Sequence, residues 1–105
     1  MSAATLVMWF SLRSPELGEE FERLMASDRD VVSSSLDTMS DYRLTRPTDV
    51  PGQAGAGQAA DYVLIAEIVN VENWEQQAEE RTQQLADDLA HLVSSRQYLV
   101  LERVL

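Results

Sequence analysis

The stretch from Asp61 to Val71, DYVLIAEIVNV, is the longest apolar run in the sequence and limits the possible folds more than any other feature. It is rich in β-branched residues and carries one charge, Glu67, near its middle, which is typical of a central strand that is apolar on both faces. Asn73 follows and can cap a helix over WEQQAEERTQQLADDLAHLV. The sequence therefore predicts a strand that leads directly into a helix.

The first half of the chain predicts a strand, a helix and a second strand. Residues 5–12 form the first strand, and both of its faces are mostly apolar. The helix starts with Ser14 as N-cap and Pro15 at its first position, where proline is well tolerated. The serines at 33–35 end or loosen this helix. Residues 38–46 then predict a second strand of mixed character, with alternate residues on its two faces.

A terminal strand is predicted over residues 97–105, so the element order is β-α-β-β-α-β. This order is typical of the ferredoxin-like α+β fold, a four-stranded antiparallel sheet with two helices on one face. Residues 47–60 are rich in Pro, Gly and Ala, and we predict a flexible loop there, either a lid or an open hairpin connection. At this length, one domain over residues 1–105 is expected.

Two helices can cover only one face of such a sheet. Strands one, three and four are apolar on both faces, so the second face must also be covered. The economical solution is to pack that face against the same face of a second copy. We therefore predict a homodimer in which two sheets form a dimeric α/β barrel.

Composition excludes several classes of function. The formal net charge of −10 leaves no basic surface for nucleic acid or anionic membranes, whereas neutral or cationic small molecules remain possible ligands. The chain has no cysteine and a single histidine, so neither a thiolate site nor a structural zinc site is expected. The N-terminal apolar run is too short to span a bilayer, and a cytoplasmic location without membrane association is the default expectation.

Three segments resemble a known family: GEEFERLM on the first helix, DYVLIAEIVNVENWEQQ across the third strand into the second helix, and the terminal QYLVLERVL. Together they resemble the dimeric α/β-barrel proteins and, among these, the RedY-like proteins of prodiginine pigment biosynthesis. The resemblance implies a homodimer that binds a small aromatic or pyrrolic intermediate and promotes cyclisation, condensation or dehydration without metal or flavin. The wider superfamily also contains cofactor-free monooxygenases, so the fold alone does not choose the reaction.

Asp28 is the first candidate catalytic residue. The apolar stripe of the first helix continues, at about 100° per residue, onto Asp28, which places a carboxylate on the face that packs against the sheet. Partial desolvation there suits a carboxylate to general acid or base chemistry. Alternatively, the helix ends earlier and Asp28 is solvated, or it pairs with Arg23 or Arg29.

Arg81 and Glu67 are the other two candidate catalytic residues. Arg81 lies on the apolar stripe of the second helix, where it could bind a substrate oxygen, neutralise Asp28 across a pocket, or extend its head group into water. Glu67 interrupts an apolar strand, so we expect it to be paired with Arg43 or Arg103, to bridge two subunits, or to face a pocket.

Five side chains are candidates for binding the substrate. Thr82 is next to Arg81, although a threonine there often bonds back to its own helix. His91 lies on a flank of the second helix, as a surface residue or a proton shuttle. The aromatic residues that could form the walls of a cavity, besides serving as core, are Trp9, Tyr42 and Trp74.

Three functions remain open at this point. The first is a small enzyme of bacterial secondary metabolism that binds a pyrrolic or indolic intermediate and uses Asp28, with Arg81 or Glu67, in ring closure or water loss. The second is a cofactor-independent monooxygenase that acts on an electron-rich aromatic. The third is a non-catalytic protein that carries a reactive intermediate or docks on a pathway enzyme through its acidic surface.

Overall fold

The computed structural model describes residues 3–35, 37–48 and 60–105. In this part of the chain, four strands form one antiparallel sheet in the order β2-β3-β1-β4. The elements are β1 (Ala4–Leu12), α1 (Gly18–Ser35), β2 (Met39–Thr45), β3 (Tyr62–Ile68), α2 (Val71–Leu89) and β4 (Val93–Glu102), with a 3-10 turn at Pro15–Leu17 before α1. The predicted order and the ferredoxin-like fold are both confirmed. The loop predicted at residues 47–60 lies, apart from its end residues, outside the described residues.

The central strands β1 and β3 separate the two faces of the sheet. Alternate residues of both strands are buried beneath the helices, and the residues between them are only partly buried. The core on the helix side contains an aromatic stack in which the Phe21 ring centroid lies 5.1 Å from Phe10 and 4.7 Å from Tyr62. The sequence predicts that residues 5–12 are apolar on both faces, and in the structure one face packs beneath the helices while the other is only partly covered.

The two helices begin differently from the prediction. The 3-10 turn starts after Ser14 with Pro15 at its first position, and the α-helix proper starts only at Gly18. The predicted cap Asn73 is wrong: Asn70 caps α2, because its side-chain oxygen accepts a hydrogen bond from the Asn73 backbone N–H at 2.9 Å. The second helix therefore starts at Val71.

A β-bulge in β2 contradicts the simple alternation predicted for this strand. Two residues, Asp41 and Tyr42, lie opposite one residue of β3, and Asp41 has a φ of 52°. Aspartate tolerates this left-handed conformation better than most residues. Because of the extra residue, Met39 lies on the helix side with Tyr42, whereas Arg43 lies on the other side.

The last strand runs over Val93–Glu102, so it begins and ends earlier than the predicted 97–105. Its apolar residues Leu99 and Leu101 pair with Val7 and Thr5 on the face that the helices do not cover. Both leucines are exposed. Neither helix of the described chain combines the length and the apolar character that crossing a membrane requires.

Candidate functional site

Three side chains from three elements form one polar network inside the helix layer. Asp28 of α1 accepts a hydrogen bond from Arg81 of α2 at 2.5 Å through one carboxylate oxygen. It accepts another from the Tyr42 hydroxyl of β2 at 2.7 Å through the second oxygen. The carboxylate is therefore bound on both sides and links the two helices to the edge of the sheet.

Helical periodicity places Asp28 in this network. Helix α1 continues past it to Ser35, so Asp28 lies well inside the helix on the stripe of the buried residues Phe21 and Met25. Its side chain is only 5 % exposed, and that of Arg81 is 25 % exposed. The alternative of a solvated Asp28 at the helix end is therefore wrong, and so are its pairing with Arg23 or Arg29 and a purely solvent-facing Arg81. Those two arginines pair with Glu19 and Asp30 instead.

The network also sets the protonation state of Tyr42. Burial is the main cause that raises the pKa of its hydroxyl well above the ordinary value, and the negative charge of Asp28 adds to the effect. Tyr42 therefore remains a neutral hydrogen-bond donor throughout the physiological range. A buried carboxylate is tolerated here because a cation and a hydroxyl both bind it.

The network lines a cavity of about 40 Å³ between the sheet and both helices. The remaining wall is mostly apolar and consists of Leu6, Met8, Val32, Met39, Leu64, Trp74, Ala78, Thr82 and Leu85. This volume holds about three water molecules. A ligand of aromatic size must therefore also use adjoining space.

Two open hollows share walls with this cavity. A groove of about 550 Å³ between α1 and β2 shares Tyr42 with it, and Arg29, Arg43 and Arg46 surround that groove. A hollow of about 290 Å³ between α2 and β4 shares Trp74, Ala78 and Thr82 with the cavity. The cavity therefore lies beside two larger open spaces and shares lining side chains with each of them.

The structure brings together five of the eight predicted site residues and separates the other three from them. Asp28 and Arg81 form the ion pair, and Tyr42, Trp74 and Thr82 line the same cavity. Glu67 and Trp9 lie on the opposite face of the sheet, and His91 is exposed on the surface.

Each of the separated residues has a local environment that explains its position. Glu67 accepts a hydrogen bond from the Thr5 hydroxyl at 2.9 Å and pairs with Arg43 at 3.7 Å, which is one of the predicted pairings. The His91 Nε2 atom lies 3.5 Å from a Glu20 carboxylate oxygen, on the surface. Trp9 is half-buried and is paired with Val63 in the sheet.

Sequence reasoning missed Arg96 on β4. Its partly buried guanidinium lines the hollow beside Trp74, and one of its terminal nitrogens is buried without a hydrogen-bond partner among the described residues. The predicted strand begins only at Gln97, so the sequence places Arg96 on neither face of the sheet. The pattern gives little signal here, because the register of β4 shifts between Ser95 and Val93 and so breaks the alternation just before Arg96.

The described residues form no evident site for a metal ion. Within residues 3–35, 37–48 and 60–105, no group of three or more His, Asp or Glu side chains is arranged to hold a metal ion. The arrangement of Asp28, Arg81 and Tyr42 instead offers a carboxylate that can accept a proton, a cation and a neutral hydroxyl donor.

Comparison with solved structures shows the same fold in distant proteins. SnoaB, a cofactor-independent oxygenase from Streptomyces nogalater, is 17% identical with a TM-score of 0.74, covering 100% of this chain and 96% of that one. A dimeric protein of ferredoxin-like fold from Bacteroides fragilis is 18% identical with a TM-score of 0.65, covering 98% of each chain. A dabb-family protein from Mesorhizobium loti is 9% identical with a TM-score of 0.72, covering 99% of each chain.

Sequence comparison gives the family. No curated protein matches the chain. The family profile described as REDY-like protein HapK, however, matches residues 4–104, which is nearly the whole sequence. The chain belongs to the REDY-like protein HapK family.

Proposed function

We propose that this chain is a small cofactor-free enzyme of bacterial secondary metabolism that binds a pyrrolic or indolic intermediate and promotes ring closure, condensation or water loss. The observation that supports this most strongly is the buried ion pair of Asp28 and Arg81, with Tyr42, on the wall of a mostly apolar cavity. Charged groups buried in an apolar pocket are typical of acid–base sites. The resemblance to RedY-like proteins supports the substrate class.

Asp28 is the proposed proton carrier. In a condensation, an electron-rich ring carbon attacks a carbonyl carbon, the new carbon–carbon bond forms, and the carbonyl oxygen becomes a hydroxyl. Asp28 accepts the proton that the ring carbon loses and passes it to the alkoxide oxygen, which gives that hydroxyl. It then takes the proton of the ring N–H and gives it to the hydroxyl, which leaves as water. The step is balanced without a cofactor, because the two protons that the substrate loses are the two that the departing water carries.

Arg81 and Tyr42 assist this step in different ways. The guanidinium of Arg81 stabilises the negative charge that develops on the carbonyl oxygen during attack. The neutral Tyr42 hydroxyl orients the Asp28 carboxylate and supplies a second donor next to it. The apolar wall excludes water and so favours loss of water from the product.

Substitution of Asp28 tests this mechanism. Asp28→Asn preserves the shape of the side chain and removes its basicity, and we expect a loss of about 100-fold or more in kcat. Glu19→Gln is the control, because it changes a carboxylate of the same helix that is 90 % exposed on the surface, and it should turn over pyrrole and indole carbaldehydes like the wild type. A folded Asp28→Asn protein with wild-type turnover would refute the mechanism.

A cofactor-independent oxygenase is the second candidate, because SnoaB shares the fold and carries that activity. The two reactions differ in the source of product oxygen. Turnover under isotopically labelled O₂ would place label in the product only in the oxygenase case. If the offered ligand is recovered unchanged both with and without O₂, the chain is a carrier or scaffold, and neither enzymatic proposal holds.

We further propose that the active form is a homodimer built on the uncovered face of the sheet. This face presents Val7, Ile65, Leu99 and Leu101 without cover from either helix. The solved relative from Bacteroides fragilis is described as dimeric. An exposed apolar patch of this kind favours self-association.

Charge substitution on that face tests the dimer. Leu99 lies on the edge strand β4 opposite Val7 and is 52 % exposed, and Leu99→Arg should convert a dimer to a monomer in sedimentation equilibrium. Val31→Arg is the control, because Val31 is also exposed, at 37 %, and lies on α1 on the other side of the sheet. A wild-type protein that sediments as a monomer at micromolar concentration would contradict this proposal.

A further inference from the structure

Three buried N–H groups have no acceptor among the described residues: the indole nitrogen of Trp74, the Nε atom of Arg81 and the Nη1 atom of Arg96. A buried donor without an acceptor costs free energy, and native proteins keep such groups few. In the described part of the chain, these are the only buried side-chain nitrogen or oxygen atoms in this state. All three atoms are hydrogen-bond donors, so the described part of this site lacks hydrogen-bond acceptors for them.

The three donors belong to one continuous wall. Trp74 and Arg81 line the cavity that contains Asp28, and Trp74 also lines the hollow between α2 and β4 where Arg96 lies. The cavity and the hollow have Trp74, Ala78 and Thr82 in common. A ligand that fills the cavity and extends past Trp74 into the hollow would therefore pass all three donors.

The carboxylates near the wall do not supply the missing acceptors. Both oxygens of Asp28 are already bound, one by Arg81 Nη2 and the other by the Tyr42 hydroxyl. Glu75 and Glu79 line the exposed side of the hollow, but neither forms an ion pair with Arg96. The described protein residues therefore supply no acceptor for these donors, and a ligand or water that enters the site must supply it.

We infer that the ligand of this site is a planar aromatic molecule that carries at least two hydrogen-bond-accepting oxygens, bound by Trp74, Arg81 and Arg96. This inference rests on the proposed function and narrows its substrate class. A bare pyrrole or indole has one N–H donor and no acceptor, so it would leave all three buried donors unpaired. A carbonyl-bearing heteroaromatic pairs with them and also has the oxygen that a condensation requires.

The pair of isatin and indole tests the inference directly. Isatin is an indole with two added carbonyl oxygens, so the two probes share a ring system and differ in acceptors. Isatin reacts with thiols and amines, but the chain contains no cysteine and no lysine side chain to attack it. We expect isatin to bind about tenfold or more tightly than indole, since one or two additional hydrogen bonds form in a desolvated site.

Nuclear magnetic resonance can locate the contact, because the chain has only two tryptophans. In a 1H–15N correlation spectrum of the wild-type protein, isatin should shift the indole N–H resonance of Trp74. The Trp9 resonance is an internal control, because Trp9 lies on the opposite face of the sheet. Equal shifts of both resonances, or no shift of Trp74, would overturn the inference.

Variants of two arginines complete the test. Arg96→Gln should lower isatin affinity about tenfold and leave indole affinity unchanged. Arg103→Gln is the matched control, because Arg103 is exposed just beyond β4 and bonds only a backbone carbonyl among the described residues. If indole binds in the cavity as tightly as isatin, the proposed function stands and the acceptor inference fails. If neither probe binds, both fail.

Discussion

The buried ion pair of Asp28 and Arg81 allows a quantitative prediction. Arg81→Met removes the cation and keeps much of the length of the side chain, while Asp28→Asn removes the negative charge with almost no change of shape. The two single variants and the double variant form a thermodynamic cycle that isolates the interaction between the two side chains. The quantity to compare is the free energy of unfolding.

The burial of the two side chains sets the loss of unfolding free energy expected in each single variant. In Arg81→Met, a carboxylate that is 5 % exposed loses its cation and retains only the Tyr42 hydroxyl, so we expect a loss of about 3–5 kcal/mol. In Asp28→Asn the arginine is 25 % exposed and can reach water, so the loss should be about 1.5–3 kcal/mol. Once Arg81 is replaced, replacing Asp28 as well should cost little more, because the pair is already broken. A coupling energy of about 2 kcal/mol is therefore expected.

Urea unfolding followed by circular dichroism measures all four free energies. The control cycle uses Arg23 and Glu19, a pair on the surface of α1 at 3.8 Å with side chains that are 74 % and 90 % exposed. Its coupling should be about 0.5 kcal/mol or less. A coupling below about 1 kcal/mol for Asp28 and Arg81 would mean that water screens their pair as well. The assignment of a desolvated site would then fail.

Three further predictions concern the framework around the site. Asn70→Ala removes the cap of α2 and should cost about 1 kcal/mol of unfolding free energy, whereas Asn73→Ala should cost much less. Phe21→Ala empties the centre of the aromatic stack and should cost about 3–5 kcal/mol in the same urea assay. Burial, with a hydrogen bond to Glu22, raises the pKa of Tyr62 from 10.0 to about 12. The unfolded chain therefore releases this proton first, so stability should fall between pH 10 and pH 12, and less so in Tyr62→Phe.

Strong periodicity made much of the fold and part of the site predictable from sequence. Residues 5–12 and the stretch after Asp61 are long apolar runs, so both strands are predictable from the sequence, but because both faces are apolar the sequence does not say which face the helices cover. Asp28 could be placed on the buried face because α1 is a regular helix over its whole length. The sequence does not tell which arginine pairs with Asp28, because the pairing depends on how α1 packs against α2.

Other features depend on tertiary contacts that local pattern does not encode. The cap at Asn70 was missed because asparagines at 70 and 73 are both acceptable helix starts, and only the backbone geometry chooses between them. Glu67 carries the same charge as Asp28, yet its strand position turns it to the opposite face, where Arg43 and Thr5 bind it. The small volume of the cavity follows from side-chain packing and has no signature in the sequence.

The bulge in β2 determines which chemistry faces the helices. With all residues kept and strict alternation after Met39, the phenol of Tyr42 would point away from Asp28, and Arg43 would take its place among the apolar side chains beneath α1. Deleting Asp41 would instead remove the extra residue and leave a regular strand in which Ser40 still faces outward and Tyr42 still faces Asp28. A relative of the same length at this position therefore needs the bulge to keep the hydroxyl at the site, whereas a relative that is one residue shorter keeps it with plain alternation.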